Sequence, residues 1–292
     1  MMRMTKTWVA ASALVAAAFG PAVSSEGALA HRYSMSQTGP AGTSVLDSVG
    51  TAHGTLLANG TLDGDLLTTA GTAGAASGVS LPITAVQGLT GDFSIEQWAT
   101  TTTAGAGTSF QTLFAFGVGG APGNRNAYLL ATGRRGSTGN PSGVGVNPVG
   151  GPTGDFAGEV VVTGPAFVAN TPTQFVFTYR ASDNQIQLFV NGVLTDTDVS
   201  PLPLSFEAVG ADFRGINGNN PIDPAFTGST DDFRIYNNTL APAAVAQLNT
   251  LGPDAGNSAI NTASAVPEPA SVGLLGLGAL GLLVRRSHRR RA

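Results

Sequence analysis

Residues 174–194, QFVFTYRASDNQIQLFVNGVL, alternate apolar and polar side chains with a period of two. Phe175 and Phe177 share one face of a strand, and the alternation resumes after a polar turn. Asn191 and Gly192 then supply the residue pair that suits a type I′ turn, in which both central residues have positive φ. The stretch therefore predicts three consecutive antiparallel strands.

The surrounding sequence extends this pattern and adds one short helix. Residues 93–98 and 231–236 alternate in the same way, and each predicts a strand with one apolar face. Residues 239–251 predict a short helix with a proline in its first turn and a glycine after its last. Residues 133–158 are rich in Gly, Pro, Ser and Asn and predict a long exposed loop. The 40 glycines and the strings of Thr, Ala and Ser favour turns and strands over long helices, so the prediction is all-β.

The N-terminus predicts an exported protein. Two basic residues precede an apolar stretch at 8–19, and small residues follow, which is typical of a secretory signal peptide over residues 1–30. Cleavage after Ser24 and cleavage after Ala30 both satisfy the preference for small residues, and the sequence leaves this choice open.

Composition limits what the exported part does. The whole chain has a formal net charge of −4, but residues 31–264 hold seven arginines and no lysine against sixteen acidic residues, which gives −9. This charge argues against a nucleic-acid partner, because phosphate binding needs a basic face. The chain has no cysteine, which excludes disulfides and thiolate chemistry. We predict one domain over 31–252 and a small, polar linker over 253–265.

The C-terminal segment 266–292 combines three features. Pro267, Glu268 and Pro269 precede an uncharged run from 270 to 284, and an arginine cluster ends the chain. The run predicts a transmembrane helix with its basic end in the cytoplasm. Its 15 or so residues reach only about 22 Å against a hydrocarbon core of about 30 Å, so it is short for a permanent anchor.

This tail resembles the PEP-CTERM sorting signal of Gram-negative bacteria, with Pro267, Glu268 and Pro269 as its sorting residues. The resemblance implies that the tail holds the protein in the inner membrane before processing. It also implies that an exosortase, a membrane peptidase, recognises the Pro-Glu-Pro region and cuts near it. We expect a protein that is exported across the inner membrane and reaches the cell surface or the extracellular matrix.

Five short motifs, in order, are similar to the laminin-G-like family of concanavalin A-like jelly rolls: DSVG at 47–50, FSIEQW at 93–98, FVFTY at 175–179, LFVNG at 188–192, and DFRIY at 232–236 before Leu240-Ala241-Pro242. The resemblance implies a sandwich of two antiparallel sheets. It departs from the family at Ala241, where members often carry Ser or Thr as the helix N-cap.

Three residues are candidates for binding sites. Asp47 and Asp231 are candidate calcium ligands, because hard cations take carboxylate oxygens and the resembled family often binds calcium near these motifs. The alternative is that each aspartate organises its turn through hydrogen bonds to the backbone. Trp98 is a candidate platform for extracellular polysaccharide, or else a packed residue.

The residues of the body do not predict an enzyme. Its three glutamates are far apart and do not form the Glu-x-Asp-x-x-Glu pattern of jelly-roll glycosidases, and it has no Gly-x-Ser-x-Gly motif. Asp196 and Asp198 are about 7 Å apart by strand spacing and are the remaining carboxylate pair to consider. We therefore predict a non-enzymatic exported protein, with a calcium-dependent carbohydrate-binding lectin module as the alternative.

Overall fold

Two antiparallel sheets enclose one hydrophobic core in the computed structural model. The structure describes residues 29–71, 76–103, 108–118, 127–136, 139–148, 158–204, 213–220 and 223–265. Within them, sheet A holds β1 (Leu29–Tyr33), β2 (Thr38–Gly39), β5 (Gly60–Asp63), β6 (Leu67–Ala70), β8 (Phe93–Thr101), β13 (Thr173–Arg180), β14 (Gln185–Val190), β15 (Val193–Val199) and β17 (Thr227–Tyr236). Sheet B holds β3 (Ser44–Val45), β4 (Gly54–Leu56), β7 (Val79–Ser80), β9 (Thr112–Val118), β10 (Ala127–Thr132), β11 (Ser142–Asn147), β12 (Val160–Gly164) and β16 (Phe213–Ile216).

The predicted strands at 174–194 are confirmed. They form β13, β14 and β15, and β13 pairs with β14 so that Phe175 lies opposite Val190. The tight turn forms at Asn191 and Gly192, whose φ angles are 50° and 78°. In sheet A the strand order is β15-β14-β13-β8-β17-β6-β5-β2, and β1 pairs with β17. The predicted strands at 93–98 and 231–236 therefore become β8 and β17, the two central strands.

Aromatic side chains from both sheets meet in the core. The ring of Phe114 in sheet B lies 5.6 Å from Phe233 and 6.3 Å from Phe175, both in sheet A, measured between ring centroids. Phe93 and Ile95 join the same buried cluster, as their alternation predicts. The two sheets are thus held by one continuous apolar layer.

Two helices cover part of the outer face of sheet A. Helix α1 (Pro242–Leu251) is the predicted helix; it buries Ala244, Val245 and Leu248 in one cluster with Val176 and Phe189 of the sheet. Ala241 at its N-cap makes no side-chain capping bond, as the departure from the family pattern predicts.

The second helix corrects the predicted domain boundaries. Helix α2 (Asn257–Ser264) lies within the segment 253–265 that was expected to be a linker. Ile260 and Ala263 are fully buried, so this segment is part of the body. At the other end, β1 begins at Leu29, two residues before the predicted start of the domain, and Leu29 packs in the same cluster as α2.

The predicted exposed loop at 133–158 also differs from the structure, because it contains β11. Val144 and Val146 point into the core, and Gly143 and Gly145 alternate with them on the outer face. In the described part of the chain, no helix has the length and apolar character needed to cross a membrane. The predicted transmembrane helix in 266–292 and most of the predicted signal peptide lie outside the described residues.

Candidate functional site

A buried ion network lies on the outer face of sheet A. Arg234 of β17 donates to Glu96 of β8, with Nη1 and Oε2 3.1 Å apart, and to Asp232, with Nε and Oδ2 2.8 Å apart. All three side chains are at most 1% exposed. Glu96 and Arg234 are direct partners in the pairing of β8 with β17, so the strand register itself brings the charges together.

Polar neighbours complete the shell of Glu96. Its Oε2 also accepts from the Tyr236 hydroxyl at 2.6 Å, and its Oε1 accepts from Trp98 Nε1 at 3.1 Å and Gln174 Nε2 at 2.7 Å. Burial and the negative charge of Glu96 raise the pKa of Tyr236 well above its ordinary value. The hydroxyl therefore stays a donor, and the carboxylate has donors on both oxygens.

Arg32 of β1 links this network to the C-terminal segment. It pairs with Asp232 at 3.0 Å and donates to Asn257 Oδ1 at 2.8 Å and to the Pro253 carbonyl at 2.9 Å. Arg234 donates to the same carbonyl at 2.8 Å. Two buried arginines thus fix the connection between α1 and α2, whose carbonyls would otherwise lack donors.

The structure places Trp98 inside this network. Its side chain is on the face opposite the core, as predicted, but the residue is only 7% exposed. Because its indole nitrogen is bonded to Glu96 and its ring is covered, Trp98 lacks the exposure that a sugar-stacking platform needs. The packed alternative describes its position.

Asp47 organises a turn. Its Oδ1 accepts backbone N–H bonds from Arg32, Val49 and Gly50, and its Oδ2 accepts from Ala52 N–H at 3.2 Å. His31 Nδ1 lies 2.6 Å from Oδ2. Burial alone raises the pKa of Asp47, but the bonds from His31 and the backbone outweigh it and lower the pKa. With both oxygens engaged by donors, Asp47 matches the turn-organising alternative and does not fit a metal ligand.

Asp231 has a different environment. It is the extra residue of a β-bulge, between Thr230 and Asp232, where β17 changes its outer neighbour from β6 to β1. Burial, and then the negative charges of Asp254, Asp232 and Asp65, raise its pKa to about 6. The structure therefore gives the two predicted calcium ligands separate roles. Over the described ranges, no group of three or more His, Asp or Glu side chains is arranged to hold a metal ion.

We expect Asp231→Asn to stabilise the protein at neutral pH. A carboxyl whose pKa rises from 3.8 to about 6 on folding contributes stability that is complete below about pH 4 and is lost as the pH rises through 6. After discounting for partial exposure, the gain at pH 7.5 is about 1 kcal/mol. Thermal unfolding at pH 4 and pH 7.5 measures it. A gain that is equal at both pH values contradicts the argument, and Asp198→Asn on exposed β15 is the control for lost surface charge.

The outer face of sheet B carries a second polar group of residues. The Tyr128 hydroxyl donates to Glu159 Oε1 at 2.8 Å, and Glu159 pairs with Arg135. Asn147 lies opposite Tyr128 in the pairing of β10 with β11 and is 1% exposed. Its amide oxygen and nitrogen are buried without a hydrogen-bond partner in the structure as described, and so is Nη1 of Arg135.

Aromatic and glycine residues surround this group. Phe213 of β16 lies over Gly117 of β9, and a Cβ at Gly117 would collide with the ring, so glycine is required there. Gly145 likewise leaves room for the Glu159 and Arg135 side chains. The unpartnered amide of Asn147 and Nη1 of Arg135 are the polar atoms on this face of sheet B that a polar ligand could satisfy.

The carboxylates of β15 are used structurally. Asp196 Oδ2 accepts from the Thr163 backbone N–H at 2.8 Å, which ties β15 to β12 across the two sheets. Asp198 Oδ1 accepts from the Val199 N–H at 2.8 Å. Each of the two is therefore already engaged by a backbone donor.

The sequence analysis did not predict the Glu96–Arg234 network or the Asn147 group, although the sequence contains a signal for the first. Alternation places Glu96 opposite Phe93 and Ile95, and Arg234 opposite Phe233 and Ile235. Two opposite charges on the same face of adjacent strands are favoured partners. The Asn147 group had no such signal, because β11 alternates valine with glycine and its apolar–polar alternation is therefore weak.

Comparison with known proteins agrees with this architecture. The family model of the concanavalin A-like lectin/glucanases superfamily named Laminin_G_3 matches residues 73–246, more than half of the chain. No curated protein sequence is significantly similar to this chain.

Solved structures share the fold. Domain 4 of AbnA, an extracellular arabinanase from Geobacillus stearothermophilus solved with arabinotriose, has 22% identity and a TM-score of 0.51. The match covers 76% of this chain and 98% of that domain. Trypanosoma rangeli sialidase in complex with sialic acid has 14% identity and a TM-score of 0.51, over 76% of this chain and 33% of the sialidase.

The C-terminal tail matches a second family model. The PEP-CTERM protein-sorting motif covers residues 265–290, which include Pro267, Glu268 and Pro269. These three residues lie outside the described part of the structure. The motif indicates a protein that is exported across the inner membrane, processed by an exosortase and sorted toward the cell surface. The chain belongs to the laminin-G-like family of the concanavalin A-like lectin/glucanases superfamily.

Proposed function

We propose that this protein is a non-catalytic component of the cell surface or extracellular matrix, delivered in folded form and separated from its membrane tail by an exosortase. The observation that carries the proposal is the junction between fold and motif. Helix α2 ends at Ser264, and the sorting motif begins at residue 265. A cut near Pro267 therefore leaves the whole folded body on one side.

The roles of the carboxylates support the non-catalytic part of the proposal. Glu96 and Asp232 are paired with arginines, Asp47 is surrounded by backbone donors, and Asp196 joins two edge strands. A general acid or a nucleophile needs a carboxyl that is free to exchange a proton or attack a substrate. These side chains instead stabilise the fold.

Replacing Pro267, Glu268 and Pro269 together with alanine is expected to keep the protein in the membrane fraction. The tail would still insert, but the peptidase would lose the residues that it recognises. Fractionation of cells followed by immunoblotting measures the ratio of released to membrane-bound protein, which should fall at least tenfold. The matched control replaces Ser258 and Thr262, both exposed on α2 just before the motif, with alanine. Unchanged release of the Pro-Glu-Pro variant would contradict the proposal.

Carbohydrate binding is the second candidate, and the unpaired amide of Asn147 favours it. A buried amide without partners costs free energy that a ligand hydroxyl would recover. Tyr128 and Phe213 belong to the same sheet but are only 2% and 4% exposed, so the candidate rests on the polar group and not on a stacking ring. We expect the purified protein to bind an extracellular polysaccharide and Asn147→Ala to weaken binding about tenfold or more, which is the loss of one or two hydrogen bonds. Asn238→Ala, near the opposite sheet, is the matched control.

Asp231 is the calcium ligand in this candidate function, because both carboxylate oxygens of Asp47 are already engaged by donors. Burial, and then the neighbouring carboxylates, raise the pKa of Asp231, and a divalent cation would relieve the repulsion between these carboxylates. Measuring thermal unfolding and polysaccharide binding with calcium and then with chelator tests it. Calcium should stabilise the natural protein at pH 7.5 and leave Asp231→Asn unchanged; equal responses would remove calcium from the proposal.

A further inference from the structure

The N-terminal strand and the C-terminal helix of the body hold each other in place. Leu29 is 4% exposed and packs in the same apolar cluster as Ile260 and Ala263 of α2. Its backbone N–H donates to Asn261 Oδ1 at 3.1 Å. Leu29 also pairs with Tyr236, so the first residue of β1 contacts both the sheet and the helix.

These contacts distinguish two cleavage positions that are equivalent in sequence. The small residues needed by signal peptidase precede the bond after Ser24, in Ala22-Val23-Ser24, and the bond after Ala30, in Ala28-Leu29-Ala30. A cut after Ala30 would remove Leu29 and leave β1 with only His31 to Tyr33. A cut after Ser24 would keep the whole strand.

We propose that signal peptidase cuts after Ser24, so that the mature protein begins at Ser25 and retains Leu29 as the residue on which α2 docks. The inference rests on export, which the sorting motif supports. It also assigns a processing site at the opposite end of the chain, and it explains that site by the docking of α2 on Leu29. The two processed ends of the body then meet at β1 and α2.

The test is to express the full-length chain in a Gram-negative host and identify the N-terminal peptide of the exported protein by mass spectrometry. We expect Ser25 at the N-terminus. Ser24→Val should raise the ratio of precursor to mature protein at least tenfold, because valine is too large for the peptidase. Ala30→Val is the matched control, since a β-branched residue suits a strand, and it should leave processing unchanged.

An N-terminus at His31, or a block of processing by Ala30→Val alone, would overturn the assignment. An uncleaved N-terminus would overturn it together with export, so the two failures are distinguishable. Stability provides an independent readout. Leu29→Ala in the full chain should lower the Tm of the exported protein by roughly 5–10 °C, because a buried leucine beside α2 is truncated. An unchanged Tm would show that Leu29 does not hold α2, and would remove the reason for the Ser24 site.

Discussion

Replacing Arg234 with methionine should lower the free energy of unfolding by about 3–5 kcal/mol, because it leaves buried charges without their partner. Arg234 neutralises Glu96 and Asp232 in an environment that water does not reach. Burial disfavours its own charge, but these two carboxylates outweigh that effect and raise its pKa. Methionine has a similar length, so the packing changes little and the electrostatic loss dominates. Denaturant unfolding monitored by circular dichroism measures the difference.

A surface ion pair provides the control for this prediction. Arg180 pairs with Asp183 at 2.8 Å, and the two side chains are 34% and 49% exposed. Arg180→Met should therefore cost less than about 1 kcal/mol. Similar losses for the two variants would show that the buried network contributes no more than an exposed pair, and would contradict its assigned role.

Ile260→Ala should lower the free energy of unfolding by about 2–4 kcal/mol, because it truncates the one large apolar residue of α2. The side chain is fully buried with Leu29 and the residues of α1. The loss would show that α2 is part of the folded body rather than a linker. The change in denaturation midpoint of the exported protein measures it.

Thr262 is the matched position for Ile260, two residues along the same helix and exposed. Thr262→Ala should change stability by less than about 0.5 kcal/mol, since alanine also favours the helix. If Ile260→Ala were equally neutral, the docking of α2 on the sheet would not contribute to stability.

The sequence predicted those elements whose pattern is both local and strong. At 174–194 apolar and polar side chains alternate with a period of two, and Asn191-Gly192 follows. This residue pair favours a type I′ turn, which makes the strands on either side of it pair antiparallel. The strands at 93–98 and 231–236 were predicted for the same reason. The order of these motifs was also enough to predict a sandwich of two sheets, which the structure and the family match confirm.

Two elements were missed because their signals are weak within the element itself. Helix α2 has the sequence NSAINTAS, which offers a single large apolar residue and many that favour turns. Its helical state depends on docking against β1, a contact between residues more than 200 positions apart. Strand β11 alternates valine with glycine, and glycine content alone suggested a loop.

The candidate sites depended still more on tertiary structure. Asp47 and Asp231 are both aspartates near turns, and only their neighbours separate a carboxylate saturated by N–H donors from one crowded by other negative charges. Alternation predicted the correct face for Trp98, but the residues that bury its side chain come from other parts of the chain. Alternation fixes which side of a sheet a residue occupies, whereas exposure depends on what packs there.

The close approach of α2 to the sorting motif sets the length of the tether that the proposed route gives the precursor. Five residues lie between the end of α2 at Ser264 and the start of the apolar run at Ala270, so six Cα–Cα steps connect the two. Even fully extended, they reach only about 20 Å. In the proposed route, where the apolar run inserts into the bilayer, the body is therefore confined to a thin layer against the membrane until the peptidase acts. Cleavage in that route ends this confinement.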